Sequence, residues 1–132
     1  MDRGVAIVCV AVPMNAPSQI AGYYSLASTG IRLLDLPERA QKKLPRYPLV
    51  PATLLGRLAV DQSFKGRRLG EHLLIDALKR ARQTSFSVAS AAVVVDAKDD
   101  DAAAFYVRYG FIPFPDQPHR LFLAMKTVEQ LG

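Results

Sequence analysis

The chain has 132 residues, half of them hydrophobic, with 17 lysines and arginines against 12 aspartates and glutamates. That length supports one sizeable core and excludes two ordinary domains, so a single domain over residues 1–132 is expected. The net charge of +5 favours anionic partners such as nucleotide phosphates, RNA or an acidic protein, with a merely solvated basic surface as the alternative.

Val5 to Val12 is a near-continuous apolar run and reads as an inner β-strand. It is short for the core of a signal peptide, and the preceding MDRG has no clear positive excess. No segment approaches the roughly 20 apolar residues of a membrane span, so no membrane partner is expected. The single cysteine, Cys9, has no internal disulfide partner, which fits a reducing cytoplasm. Gln19 to Ala27 is a second strand-like segment, and Pro13, Asn15, Pro17 and Ser18 in the gap make the two a hairpin. From Asp35 to Pro51 the chain turns charged and proline-rich, which predicts a loop with one helical turn around Glu38 to Lys43.

Regular structure returns at Thr53 to Val60, a strand ending in Asp61. After a loop, Leu73, Leu74, Ala77, Leu78 and Ala81 fall on one face of a helix, with Lys79, Arg80 and Arg82 largely opposite. Val93, Val94 and Val95 mark a central strand buried on both faces. Asp99 to Asp101 offer an N-cap and an acidic first turn to a helix through Phe105 and Tyr106 that stops at Gly110. Arg120 to Lys126 is the expected last strand. The alternation from Thr53 onward implies an α/β layered domain with at least one parallel strand pair.

Lys65-Gly66-Arg67-Arg68-Leu69-Gly70 lies between a strand and a helix N-terminus, where unpaired N–H groups and the helix dipole attract anions. Spacing alone leaves an ordinary glycine turn as the alternative. The Walker loop's Gly-Lys-Ser/Thr ending and the dinucleotide fingerprint are both absent. No Ser–His–Asp or Cys–His constellation is apparent, and His72 and His119 read as a helix-surface residue and a loop residue. Tyr106, by itself, reads as a half-buried helix aromatic with its hydroxyl at the surface.

Taken with LAVD before it and LLIDAL after it, the loop resembles the Arg/Gln-x-x-Gly-x-Gly/Ala signature of the GNAT N-acetyltransferases, and FYVRYGF at Phe105 to Phe111 resembles their FY-x-x-x-GF block. The resemblance implies a GNAT-like mixed central sheet flanked by helices, with acetyl-CoA as co-substrate and no metal. It also implies that Leu58, Ala59 and Val60 hold the thioester and pantetheine, that Lys65, Gly66, Arg67, Arg68, Leu69 and Gly70 hold the pyrophosphate, and that Asp99 and Phe105 add contacts. Tyr106 would protonate the leaving thiolate, a role suited to a phenol protonated at neutral pH. Two positions depart from the signature. Lys65 stands where Arg or Gln is usual, and Arg68 replaces the central glycine, either keeping the backbone back from the pyrophosphate or offering a guanidinium in its place.

GYYSLA, LPRYPLVPATLLGRLAVD, VDAKD and PHRLFLAMKT further resemble the GNAT toxins of bacterial toxin–antitoxin pairs. That likeness implies acetylation of the α-amino group of aminoacyl-tRNA, a ribbon-helix-helix antitoxin partner and a homodimer. Lys42, Lys43 and Arg46 would suit a tRNA backbone, or a plain solvated loop. Against the family pattern, the first strand and first two helices are missing, through truncation, a misplaced start, or completion by dimerisation. The rival readings are a small-molecule or protein N-acetyltransferase, and an inactive shortened domain serving as a dimerising or antitoxin-binding module.

Overall fold

The computed structural model, which describes residues 6–12, 19–42, 44, 48–66, 68–88 and 90–130, is built on six strands. They are β1 (Ala6–Ala11), β2 (Gly22–Arg32), β3 (Leu49–Val60), β4 (Ala92–Asp96), β5 (Ile112–Phe114) and β6 (Gln117–Ala124). The helices are α1 (Glu38–Gln41), α2 (Leu69–Val88), α3 (Asp100–Arg108) and α4 (Met125–Glu129). The strands form one sheet in the order β1-β2-β3-β4-β6-β5. β3 and β4 pair in parallel and the other neighbours antiparallel, so the sheet is mixed and the expected parallel pair is present.

The valine run explains the centre of the molecule. Side chains alternate along a strand, so Val93 and Val95 face one layer while Ala92 and Val94 face the other, and all four are buried. On the first face α2 lays down Leu73, Leu74, Ala77, Leu78 and Ala81 beside Tyr24, Leu26, Leu55, Leu121 and Leu123. On the second, Ala52, Val94, Phe114 and Phe122 pack with Ile31 and Leu36, under the segment that carries α1. A polar clamp ties α2 to β2: the Tyr24 hydroxyl donates to Asp76 Oδ2 and accepts from Arg80 Nε at 3.1 Å.

Four sequence-based expectations need correction. The apolar run of β1 is an edge strand, paired only with β2 among the described residues, and Val8 and Val10 are exposed where burial was expected. Apolar composition records the affinity of a strand for cover, and position in the sheet decides whether cover arrives. β3 begins at Leu49, inside the proline-rich segment read as loop. Pro51 is tolerated because its nitrogen points, with its carbonyl, toward the β4 side, ahead of the first β4 partner; the carbonyl accepts from Ala91 N–H at 2.9 Å. β2 runs from Gly22 to Arg32, beyond Ala27, because the early start of β3 gives it a partner over that length. Finally β6 ends at Ala124, and Met125 and Lys126 open α4, whose Met125 and Val128 are buried against the α2 face. The helical turn near Glu38 is present as α1.

Candidate active site

The site begins with one extra residue. Ser25 lies opposite Arg57 and Leu26 opposite Leu55, which leaves Gly56 as a bulge in β3. Bulges bend a strand and increase its twist. The ladder between β3 and β4 ends at Leu55 opposite Val95, and beyond it β3 leaves its neighbour. Glycine suits the bend because a Cβ at position 56 would stand 2.8 Å from Ser25 Oγ.

The gap so opened is a cleft of about 440 Å³, walled by Leu58, Ala59 and Val60 of β3, by Ala97 and Lys98 after β4, and by Phe105 and Tyr106 of α3. Tyr23 and Arg57 also line it. A second cleft of about 660 Å³ is lined by Phe64, Lys65, Gly66, Arg68, Leu69 and Glu71 on one side and Arg108 and Tyr109 on the other. Val60, Lys65, Gly70 and Phe105 line both, so the two form one groove that passes the N-terminus of α2.

The loop has a defined fold. The Asp61 carboxylate accepts from the Ser63 N–H and hydroxyl, contacts that lower its pKa, while the Asp61 N–H donates to Ala21 O at 2.7 Å. The end of β3 is thereby fastened to the start of β2. Gly66 has φ +85°, where a glycine is unstrained. Arg68 has φ +57°, a left-handed conformation that costs an L-residue roughly 1–2 kcal/mol. Arg68→Gly is therefore expected to raise stability by up to about 1 kcal/mol, after allowance for the greater freedom of glycine in the unfolded chain. A higher urea midpoint with unchanged slope would register it, and a lower one would refute the strain. The Arg68 carbonyl accepts from His72 N–H at 3.1 Å, which leaves the first N–H groups of α2 facing the groove end without helical partners. A Cβ on Gly70 would lie 3.8 Å from both Phe105 and Val60, so glycine keeps the groove wide where its two walls approach.

Tyr106 is held by both ends of α3. Asp99 Oδ1 accepts from Ala102 N–H at 2.8 Å, with Asp100 and Asp101 in the first turn, as the sequence implies. At the other end Gly110, at φ +97°, sends its N–H to Val107 O, and Phe111 N–H reaches Tyr106 O at 3.2 Å. These paired bonds are a Schellman motif, and the hydrophobic contact that accompanies one is the Phe111 ring on Tyr106, with centroids 5.4 Å apart. Phe105 packs against Tyr106 and Tyr109 at 5.3 and 5.1 Å. The YGF portion of the block is thus a helix stop that fixes Tyr106, about one turn earlier in α3, through the Phe111 N–H bond to its carbonyl and the Phe111 ring on its own.

Burial pushes the Tyr106 phenol up to about 12, so it stays protonated throughout the neutral and mildly alkaline range. Tyr24 is also raised, by burial first and by its bond to Asp76 second. Unfolded tyrosines ionise near pH 10. Between about pH 10 and 12 the folded state retains protons that the unfolded state has lost, so stability falls as pH rises through that window. Urea midpoints taken from pH 8 to pH 11 should hold steady and then drop above pH 10; a flat profile would contradict both shifts.

Of the residues singled out from sequence, Leu58, Ala59, Val60, Lys65, Gly66, Arg68, Leu69, Gly70, Phe105 and Tyr106 line the one groove. Arg67 lies outside the described residues, as do Lys43 and Arg46. Asp99 stands apart, its carboxylate committed to the α3 cap. Lys42 lines a separate hollow with Leu33, Glu38 and Gln41. His72 is exposed on α2, and His119 belongs to β6 rather than a loop, with Nε2 2.6 Å from Asp100 Oδ1. Sequence reading missed Gly56, Tyr23, Arg57, Glu71, Lys98, Arg108 and Tyr109. A lone glycine inside TLLGRLAV was the available signal for the bulge; the others carry none that precedes the fold.

Comparison with known proteins agrees with this geometry. The model of the Acetyltransferase (GNAT) family matches residues 38–111. The tRNA-acetylating toxin of Mycobacterium tuberculosis (strain ATCC 25618 / H37Rv) is 42% identical over 113 residues, which are 86% of this chain and 67% of that protein. Among solved structures, AtaT complexed with acetyl-methionyl-tRNAfMet superposes with a TM-score of 0.77 at 34% identity, over 86% of this chain and 67% of that one. A tyrosine-to-phenylalanine mutant of the AtaT toxin, bound to the C-terminus of the antitoxin AtaR and to acetyl-CoA, gives 0.69 at 32% identity, over 86% and 65%. The chain spans about two thirds of the length of these proteins.

Proposed function

Because the chain belongs to the GNAT acetyltransferase family, we propose that it transfers acetyl from acetyl-CoA to the α-amino group of an aminoacyl-tRNA and so inhibits translation. The observation that carries this reading is the groove between β3 and β4, opened by the Gly56 bulge, with Tyr106 on its wall and the N-terminus of α2 at its far end. One toxin similar to the chain is a tRNA-acetylating toxin and another, AtaT, is solved with acetyl-methionyl-tRNAfMet, which supports this acceptor class.

The groove suits the co-substrate. Its apolar strip along Leu58, Ala59 and Val60 matches a pantetheine arm, whose amides β3 meets with backbone groups that β4 leaves free past Leu55. Lys65, Gly66, Arg67, Arg68, Leu69 and Gly70 form the pyrophosphate loop, and Phe105 closes the wall between the two regions. Acetyl-CoA, when bound, supplies the acetyl group as a thioester open to attack by a neutral amine, with the thiol as leaving group. Tyr106 gives its phenolic proton to the leaving sulfur, and the proton that the attacking nitrogen sheds on becoming an amide restores the phenol; its raised pKa keeps the proton in place at physiological pH before transfer. No protein nucleophile is required, because the amine attacks directly. Tyr23, Arg57 and Lys98 stand on the acceptor side of the cleft, where the two cations suit a polynucleotide.

The partners in this reading are a ribbon-helix-helix antitoxin and a second copy of the chain, in the cytoplasm, and among the described residues no helix is long and apolar enough to cross a membrane. Incubation with labelled acetyl-CoA and a pool of charged tRNAs tests it. Label on the aminoacyl group is expected. Label on free amines or protein N-termini alone would replace the acceptor, and absence of acetyl-CoA binding in a chain that still binds an antitoxin would make it a binding module.

A further inference from the structure

We propose that Arg68 and Arg108 form a clamp for the 3′-phosphate on the ribose of coenzyme A, so that the chain discriminates coenzyme A from its 3′-dephospho form; this rests on the cofactor reading above. The groove has a direction. Tyr106 marks the acyl end, and past Val60, Gly70 and Phe105 the nucleotide end opens between the loop and the C-terminal turn of α3. The two arginines belong to these two elements, one on each, and both line the same cleft.

Three features set them apart from surface cations. First, both are uncommitted: among the described residues no ion pair joins either to a carboxylate, whereas Arg32 and Arg120 pair with Asp35 and Asp96. Second, Tyr109 lines the same cleft as both arginines, and the charges of Arg108 and Arg68 both act on its phenol. Tyr109 therefore stands within electrostatic reach of both guanidinium groups. Third, Arg68 sits at φ +57°, a conformation that glycine would adopt without strain. A charged side chain kept at a strained backbone position points to use of the side chain.

The chemistry distinguishes the phosphates. Backbone N–H groups at the start of α2 suit a diphosphate lying along the loop. A phosphate monoester is close to a dianion at neutral pH with three acceptor oxygens, and planar guanidinium forks from two directions match that geometry.

Calorimetric titration of coenzyme A and of 3′-dephospho-coenzyme A tests the clamp, on the unaltered chain and on Arg108→Gln and Arg68→Gln. Both positions are exposed, and Gln at 68 retains a Cβ at the strained φ, so it removes the charge without relaxing the loop. The unaltered chain should bind coenzyme A about tenfold or more tightly than the dephospho form, as charge-assisted hydrogen bonds warrant. Arg108→Gln should lose about that factor for coenzyme A and little for the dephospho form, while Arg68→Gln, in the loop assigned to the pyrophosphate, should weaken both ligands but coenzyme A by more. Equal affinities in the unaltered chain, or variants that weaken both ligands alike, overturn the clamp while leaving the cofactor reading standing. Failure of the unaltered chain to bind either ligand overturns the cofactor reading, and the clamp with it.

Discussion

Tyr106→Phe is expected to lower kcat by about 100-fold or more while leaving acetyl-CoA affinity within about twofold, in line with the usual worth of a positioned general acid. The substitution removes one oxygen from a ring that is only 8% exposed and otherwise keeps its contacts with Phe105 and Phe111. The Schellman stop at Gly110 and the Asp99 cap do not depend on the hydroxyl, so α3 and the groove should persist. Binding by calorimetry and single-turnover transfer, measured on the same preparation, separate the two effects. Full turnover in the variant would remove Tyr106 from the role of acid, and loss of binding would make it a wall residue. The pH profile adds a further constraint. With the phenol raised to about 12, the rate should not fall on the alkaline side below about pH 11 through loss of this proton. An earlier alkaline limb would have to come from another group.

Leu74→Ala should destabilise the fold by about 3 kcal/mol, within the 2–5 kcal/mol range for truncating a fully buried leucine. Leu74 has no exposed surface and sits on the face of α2 that covers the centre of the sheet, among Tyr24, Leu55 and Val93. Small neighbours such as Ala77 and Ala81 have no reach with which to fill the space, so the cavity term should be felt in full. Against a typical domain stability of roughly 5–15 kcal/mol, the change is a large share. A urea midpoint lowered at constant slope is the expected reading, and a shift of under about 1 kcal/mol would mean that α2 packs elsewhere. The same helix presents Leu69 and Gly70 to the groove, so its docking on the sheet also sets where the glycine loop before it stands. Saturating coenzyme A should recover part of the lost stability by mass action.

Several parts of this molecule follow from local rules, and they are the parts legible in the sequence. The apolar spacing from Leu73 to Ala81 has the helical period, and all five residues are buried on one side of α2. Asp99 caps the helix that it precedes, and Gly110 takes the left-handed conformation that ends it. Val93 to Val95, uninterrupted, lie in the strand covered on both faces. The loop from Lys65 to Gly70 stands between a strand and a helix start because both neighbours declare themselves by period and length. Where local pattern was misread, a partner distant in the chain had decided the outcome. Leu49 to Ala52 join β3 because β2 is there to pair with them, in spite of Pro51. Met125 and Lys126 turn into α4 because Met125 and Val128 find cover against α2.

The sequence by itself determined the order of strand, glycine loop and helix and the place of Tyr106 on its helix, since each depends on residues within a turn or two of one another, and the basic charge of the chain, which is a matter of composition. The tertiary structure alone decided that β1 stands at the sheet edge, that β3 parts from β4 past Leu55, and that Arg68 and Arg108 line one cleft. Gly56 shows the reason. A glycine in a strand permits a bulge, but the register that leaves it unpaired is set by Ser25 and Leu26 on another strand, some 30 residues away, and only that register opens the site.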